Sequence, residues 1–221
     1  MKLLSVALAR SMWSGYMSDL NPKGISFYPM IVTFLVEAYK FVKFPDPKKI
    51  PIPAPAGEGY RFEHGQFTTK DGRTIAVSVN LYSDGIWGDT SSSTDDSEDF
   101  LSDLLTRYTE IFQSPDYNEV IKKKAYVSQI FVSTARSLLA INPKLQDIAA
   151  LLTTEVAQPR AIFEFGGVSF WPDQVNTMNP FAFTFERPIG VPFSENRYYS
   201  QAPLPTDKHL ELLNMLEDIL S

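Results

Sequence analysis

The feature that most constrains this chain is an ordered repetition of three short signatures, each of which occurs once in each half of the sequence. The pairs are Asn21-Pro22-Lys23 with Asn142-Pro143-Lys144, Phe62-Glu63-His64-Gly65 with Phe163-Glu164-Phe165-Gly166, and Thr94-Asp95 with Thr206-Asp207. Any one match is commonplace, because Asn-Pro and Thr-Asp are ordinary chemistry at the start of a helix. Three matches in the same order predict a duplication, with residues 1–115 as the first unit and 116–221 as the second.

Each unit is predicted to contain a strand, a helix, a meander of strands and a second helix. The clearest local signal is Lys70-Asp71-Gly72-Arg73, which lies between alternating apolar residues in 60–69 and 74–82. An Asp-Gly pair in that setting is typical of a hairpin turn. A second Asp84-Gly85 turn extends the hairpin to three strands. The fold class that follows is α+β, with an antiparallel sheet and two units packed as one pseudo-twofold body, since each unit alone is too small to bury much surface.

The remaining elements are predicted from hydrophobic periodicity and from turn residues. Helices are expected over 27–41, from Phe100 to Phe112, from Asn142-Pro143 to Val156, and over 207–220 with Thr206 as the cap. Strands are expected over 126–132, in a hairpin of 161–165 with 168–171 around Gly166-Gly167, and over 181–185; the pattern of 3–17 fits a strand or a helix. Five prolines make 44–59 an extended strap.

Composition narrows the class of protein. The 221 residues include no Cys, which excludes disulfides, thiolate nucleophiles and cysteine-ligated metals. A net charge of −6 makes nucleic-acid binding unlikely, and we interpret the basic run Lys122-Lys123-Lys124 as a solvated entry to a strand or helix. The segment Met1–Ala9 has weak signal-peptide features, but no apolar stretch is long enough for a membrane helix. We therefore expect a cytoplasmic protein without membrane contact.

The densest group of candidate metal ligands is acidic. Its members are Asp84, Asp89, Asp95, Asp96, Glu98, Asp99 and Asp103. Clustered carboxylates can hold Mg²⁺ or Ca²⁺, but Asp84 belongs to a turn, and Asp95 with Glu98 has the spacing of a capping box. We therefore predict helix-capping roles, no metal site and no cofactor.

No catalytic set emerges from the sequence. His64 and His209 are the only histidines, and their spacing does not indicate a zinc site. No Gly-x-Ser-x-Gly elbow is present, and Gly57-Glu58-Gly59-Tyr60-Arg61-Phe62 opens no predicted helix, so it lacks the context of a dinucleotide-binding loop. Enzymatic activity is therefore not the favoured interpretation.

Two predicted loops carry the leading functional hypothesis, because Tyr, Trp and Arg are common anchors of protein interfaces. Loop 83–97 contains Trp87, and loop 187–205 contains Phe193, Arg197, Tyr198 and Tyr199. We expect a non-enzymatic interaction or assembly module that presents these side chains to a protein partner or to another copy of itself. One alternative is a metal-dependent hydrolase or phosphoryl-transfer enzyme that uses the carboxylates from Asp84 to Asp99. Another is a small-ligand receptor with an aromatic-lined pocket between the halves.

Overall fold

A computed structural model of the chain describes residues 1–21, 28–46, 59–142, 144–156, 162–173 and 181–220. The strands are β1 (Lys2–Ser14), β2 (Tyr60–Thr68), β3 (Thr74–Tyr82), β4 (Gly85–Thr90), β5 (Lys123–Ser133), β6 (Gly167–Phe170), β7 (Phe183–Glu186) and β8 (Arg197–Ala202). The helices are α1 (Tyr28–Tyr39), α2 (Thr94–Phe112), α3 (Tyr117–Val120), α4 (Lys144–Glu155) and α5 (Thr206–Ile219). Short 3₁₀ turns lie at Met17–Leu20, Leu138–Ala140 and Phe193–Glu195.

The eight described strands form a single antiparallel sheet in the order β2-β3-β4-β1-β5-β8-β7-β6. The long strands β1 and β5 pair at its centre, from Lys2 opposite Ser133 to Ser14 opposite Lys123. Each half adds its later three strands outward from that centre, and in each half a helix follows the first strand and another follows the last. The prediction of an α+β fold with an antiparallel sheet is confirmed, and residues 3–14 lie in a strand.

The first hairpin follows from its turn chemistry. Gly72 has a φ of +84°, a backbone conformation that side chains with a Cβ rarely adopt. Its N–H donates to the Thr69 carbonyl at 2.9 Å, and the Thr69 N–H donates to Arg73 at 2.8 Å. The predicted Asp-Gly turn is therefore confirmed.

Three local predictions are corrected. The pairing of 161–165 with 168–171 is wrong, because β6 begins at Gly167 and its partner is β7. The regions 83–97 and 187–205 are not continuous loops, because β4 lies within the first and β8 within the second, each as the last strand of its meander. The helix cap at the start of α2 is Ser93, whose hydroxyl accepts the Asp96 N–H at 3.0 Å, and not Asp95.

Other predicted features fall partly or wholly outside the described residues. The strap 44–59 is described only at 44–46 and 59, and Pro22, Lys23, Pro143 and Ala161 are not described. Asn21 and Asn142 both lie in the connection between the first strand and the first helix of their half. The Asn142 side chain accepts the Lys144 N–H at 3.2 Å, as a cap of α4. Phe62–Gly65 lies inside β2, whereas Phe163–Gly166 precedes β6, so these two signatures occupy different positions.

The hydrophobic core divides into two clusters, one in each half. The first joins α1 and α2 to strands β2, β3 and β4 and contains large buried side chains such as Phe62 and Phe100. The second joins α5 to strands β5, β7 and β8 around Phe185, Tyr198 and Leu213. Among the described residues, the first cluster is the larger, and it includes four side chains of α1. No helix in the described part of the chain combines the length and hydrophobicity needed to cross a lipid bilayer.

Candidate functional site

The helices α2 and α5 meet at their N-termini through a reciprocal pair of hydrogen bonds. The Thr94 N–H donates to the Thr206 hydroxyl at 3.1 Å, and the Thr206 N–H donates to the Thr94 hydroxyl at 2.8 Å. Both threonines are buried. Each hydroxyl satisfies a backbone donor that the start of a helix would otherwise leave without an acceptor. This contact fixes the two halves against each other.

The helices then bond to the sheet through different side chains. In the first half, the Ser97 hydroxyl donates to the Gly88 carbonyl at 2.6 Å and accepts the Ser11 N–H at 3.1 Å. In the second half, His209 lies between two serine hydroxyls, with Nδ1 2.7 Å from Ser128 and Nε2 2.8 Å from Ser200.

His209 has the bonding of a structural residue. Its relative exposure is 0%, and burial lowers its pKa to about 4, so the ring is neutral near pH 7. Each serine hydroxyl also lies within hydrogen-bond distance of a backbone carbonyl, at Leu204 and Thr184. Because a neutral imidazole has one N–H, one serine accepts that N–H and donates to its carbonyl, and the other serine donates to the second ring nitrogen. Ser128 and Ser200 are, like His209, 0% exposed. His64 is exposed, at a bulge of β2 with φ +58°.

The acidic cluster separates into individual ion pairs. Asp89 forms a bidentate pair with Arg10, at 2.6 and 2.7 Å. The other pairs are Asp96 with Arg73, Asp99 with Lys70, Asp103 with Arg107 and Glu98 with Lys124. Asp95 stands near Asp207, and burial together with that neighbouring charge raises its pKa. Among the described residues, no three His, Asp or Glu side chains are placed to hold a metal ion.

The five predicted binding residues lie in two separate places. Trp87 is half-buried in β4, where it packs on Tyr82 at 4.7 Å between ring centroids and lies under the Arg10 guanidinium at 5.0 Å. The other four, Phe193, Arg197, Tyr198 and Tyr199, belong to the second half.

Only part of the second group is accessible. Tyr198 is fully buried against Phe185, so its aromatic ring belongs to the core. Tyr199 is half-buried against Phe131, and Phe193 is half-buried under the Arg187 guanidinium at 4.8 Å. Arg197 is exposed and pairs with Glu195 at 3.2 Å.

A set of exposed apolar side chains in the second half was not predicted from the sequence. We name it the α4–β6 surface; its members are Ile148, Leu151, Leu152, Val156, Ile162, Phe163, Phe170, Trp171 and Ile189. Two hydrogen bonds connect its segments: the Phe163 N–H donates to the Thr153 hydroxyl at 3.0 Å, and the Arg187 N–H donates to the Gly166 carbonyl at 2.8 Å. The surface therefore runs from α4 through β6 to the start of the 187–192 connection.

The helix within this surface is unusual. None of the 12 residues of α4 is buried, whereas α1 buries Val32, Phe34, Leu35 and Tyr39. Isolated helices of roughly 12 residues are marginal in water, because most helical stability comes from packing of an apolar face. Ile148, Leu151 and Leu152 have the spacing of one helix face and remain 55%, 59% and 44% exposed. Helix α4 thus has an apolar face without a covering element among the described residues.

The charges around this surface are mainly negative. Exposed carboxylates surround it at Asp147, Glu155, Asp173 and Glu186. Over 144–156, 162–173 and 181–192 the basic residues are Lys144 and Arg187, and Arg187 is buried beside Glu164 at 3.4 Å. The surface therefore combines apolar side chains with an acidic rim.

Comparisons with known proteins give no relative from which a role could be carried over. No protein-family model matches this chain, and no curated protein matches it.

Proposed function

We propose that this chain is a non-enzymatic protein-interaction module, and that its second half binds a partner protein through the α4–β6 surface. The observation that carries the proposal is α4 itself, a 12-residue helix without a buried side chain and with an exposed apolar face. Burying a Leu or Ile side chain is worth roughly 1.5–3 kcal/mol. A partner that covers this face would supply the packing that the described residues do not provide.

The chemistry of the surface favours one kind of partner, an amphipathic helix with basic residues beside its apolar face. The stripe formed by Ile148, Leu151 and Leu152 fits the ridges of another helix. The acidic rim attracts Lys and Arg. A second copy of this chain is disfavoured, because two acidic rims and two net charges of −6 would face each other.

The exposed parts of the loops predicted to bind a partner are included in this proposal. Ile189, in the 187–192 connection, is fully exposed and belongs to the surface. The five residues named from the sequence stay predicted binding residues: Trp87, Phe193, Arg197, Tyr198 and Tyr199. The cytoplasmic location also stays a prediction from the sequence.

The repetition of elements supports a second proposal, that the halves arose by duplication of one unit. Both halves have the same succession of strand, helix, three strands and helix, and the strand order places them symmetrically about β1 and β5. The reciprocal bonds between Thr94 and Thr206 join residues that the sequence signatures match. In an experimental structure, residues 1–115 should superpose on 116–221, and a fit of only one or two strands would refute the duplication.

Binding can be tested with a synthetic amphipathic helix of Leu and Lys, labelled for fluorescence anisotropy. The wild type should bind it, and the pair of substitutions Ile148→Ser and Leu151→Ser should weaken binding at least ten-fold. Met30→Ser is the matched control, because Met30 is 54% exposed on α1, the corresponding helix of the first half. A peptide with Glu in place of Lys should bind more weakly.

Two results would contradict the proposal. One is equal binding by the wild type and by the α4 double variant. The other is a stable dimer of the free chain in light scattering that the same double variant dissociates, which would assign the surface to a second copy instead of a partner.

A further inference from the structure

A cavity of about 400 Å³ lies in the first half, away from the α4–β6 surface. It is a cleft open to solvent, bordered by the 3₁₀ turn Met17–Leu20, helices α1 and α2, and the turn between β3 and β4. Its walls include Leu20, Leu35, Ile86, Leu104 and Leu105, which are all at most 4% exposed. Its volume falls within the roughly 300–1,000 Å³ of ligand pockets, which are lined mainly by apolar side chains.

One polar group inside this cavity has almost no partner. Tyr108 lines it and is 6% exposed. Its hydroxyl reaches Asn21 Oδ1 at 3.5 Å, the outer limit of a hydrogen bond. Burial raises the pKa of Tyr108, so the hydroxyl keeps its proton and is available as a donor. An acceptor on a ligand at the usual distance of about 2.7–2.8 Å would give this hydroxyl a stronger hydrogen bond than Asn21 does.

The electrostatics of the lining exclude one class of ligand. Asp84, at the β3–β4 turn, is the single charged residue among the described residues that line the cavity. It is exposed beside Ser83, so it lies at the solvent side. A carboxylate would be repelled by Asp84, whereas an uncharged molecule would not.

We propose that this cavity binds an uncharged lipophilic molecule that carries a hydrogen-bond-accepting oxygen, such as a medium-chain alcohol, ester or amide. The apolar walls hold the hydrocarbon part, and the Tyr108 hydroxyl donates to the oxygen.

Binding can be measured with N-phenylnaphthylamine, an uncharged probe that fluoresces in apolar surroundings. The purified full chain should give a saturable increase in fluorescence, which decanol displaces. Decanoate has the same chain length but a negative charge, and it should displace the probe only at a concentration at least ten-fold higher than that of decanol. Asp84→Asn should reduce the difference between the decanol and decanoate concentrations that displace the probe. Tyr108→Phe should lower the affinity for decanol several-fold and leave the affinity for the probe unchanged.

Filling the cavity gives the sharpest control. Ile31→Trp places a large side chain into it, and Met30→Trp places the same side chain on the exposed side of α1, one residue earlier. Only the first should abolish the fluorescence increase; if it does not fold, Leu81→Phe fills the same space from β3. Absence of saturable binding by the wild type, or undiminished binding by a folded cavity-filling variant, would overturn the site. Equal displacement of the probe by decanol and decanoate would contradict the proposal that the cavity selects an uncharged ligand.

Discussion

The first helix of each half follows the same kind of strand, yet the two helices have opposite relations to the sheet. Helix α1 closes a large aromatic core, in which Tyr39 packs edge-on against Phe100 at 5.1 Å. Helix α4 buries none of its residues and presents Ile148 and Leu151 to solvent. The comparison shows that two halves with the same order of helices and strands can differ in how much of each helix they bury. The same succession of elements can bury one helix in a core and leave the apolar face of its counterpart exposed.

A second difference lies where α2 and α5 cross their last strands. In the first half a Cβ at Gly88 would lie 2.8 Å from Leu101, so the helix approaches the backbone closely. In the second half Ser200 replaces this close approach with a hydrogen bond to His209. At this point the first half combines tight packing with the Ser97–Gly88 bond, whereas the bond in the second half depends on the charge of a histidine.

The largest effect is expected from shortening a buried leucine in each half. Leu101 lies on α2 and Leu213 on α5, and both are fully buried. Leu101→Ala should lower the free energy of unfolding by about 3–5 kcal/mol, and Leu213→Ala by about 2–3 kcal/mol, because a smaller core can relax around the space left. Urea denaturation followed by circular dichroism measures both. Leu151→Ala is the control on exposed α4 and should change stability by less than about 0.5 kcal/mol. A cost for Leu151→Ala equal to that for Leu213→Ala would show that α4 is packed.

The next effect depends on pH and belongs to the second half. The pKa of His209 is about 4 in the folded chain, against an ordinary value of 6.5. Between these values the unfolded chain binds a proton that the folded chain does not, so this contribution to stability is lost as pH falls through that window. Relative to His209→Gln, the wild type should lose up to about 3 kcal/mol between pH 6.5 and pH 4. A constant difference between the two proteins over this range would contradict the assignment of a buried, neutral ring.

A smaller effect separates two glycines with positive φ, Gly72 at +84° and Gly190 at +83°. Gly72→Val should cost about 1–3 kcal/mol, because a β-branched side chain is strained there and the tight β2–β3 turn cannot relax. Gly190→Val should cost less, since the bond that closes its turn, from the Val191 N–H to the Pro188 carbonyl, is long at 3.4 Å. The midpoints of urea unfolding give the comparison. Equal midpoints for both variants would mean that the hairpin is no more constrained than the connection.

The smallest effect concerns the contact between the halves. Thr94→Val and Thr206→Val each remove one acceptor of the reciprocal pair and should each cost about 0.5–2 kcal/mol, as for a lost helix cap. The two costs should be similar, because the bonds of 3.1 and 2.8 Å are mirror counterparts. Thermal unfolding measures both variants against Ser92→Ala, a neighbouring hydroxyl outside the pair. A cost from only one threonine would contradict the reciprocal arrangement.

Local chemistry was readable from the sequence, and long-range pairing was not. The Asp71-Gly72 turn was predicted correctly because Gly72 alone determines the turn's backbone conformation. The Gly166-Gly167 hairpin was wrong because β6 pairs with β7, which follows only at Phe183, and no turn residue reports such a pairing. Asp95 was misassigned as a cap because the neighbouring Ser93 has equivalent chemistry.

The candidate site was missed for a related reason. The apolar spacing of Ile148, Leu151 and Leu152 is the same as that of a helix buried in a core, so the sequence predicts α4 but not its exposure. A signal did exist in the neighbouring Phe170-Trp171 pair, two aromatic residues that are 64% and 74% exposed in the structure. The cavity beside Tyr108 had no signal, because its walls come from four separate segments of the sequence.

Hydrogen–deuterium exchange of the free chain tests the central claim most directly, because it reports the stability of α1 and α4 within one molecule. The amides of α4 should exchange at least 100-fold faster than those of α1 from Val32 to Tyr39, and binding of the Leu/Lys helix should slow α4 alone. Equal protection of α1 and α4 in the free chain would contradict the account, since α4 would then be stabilised without a partner.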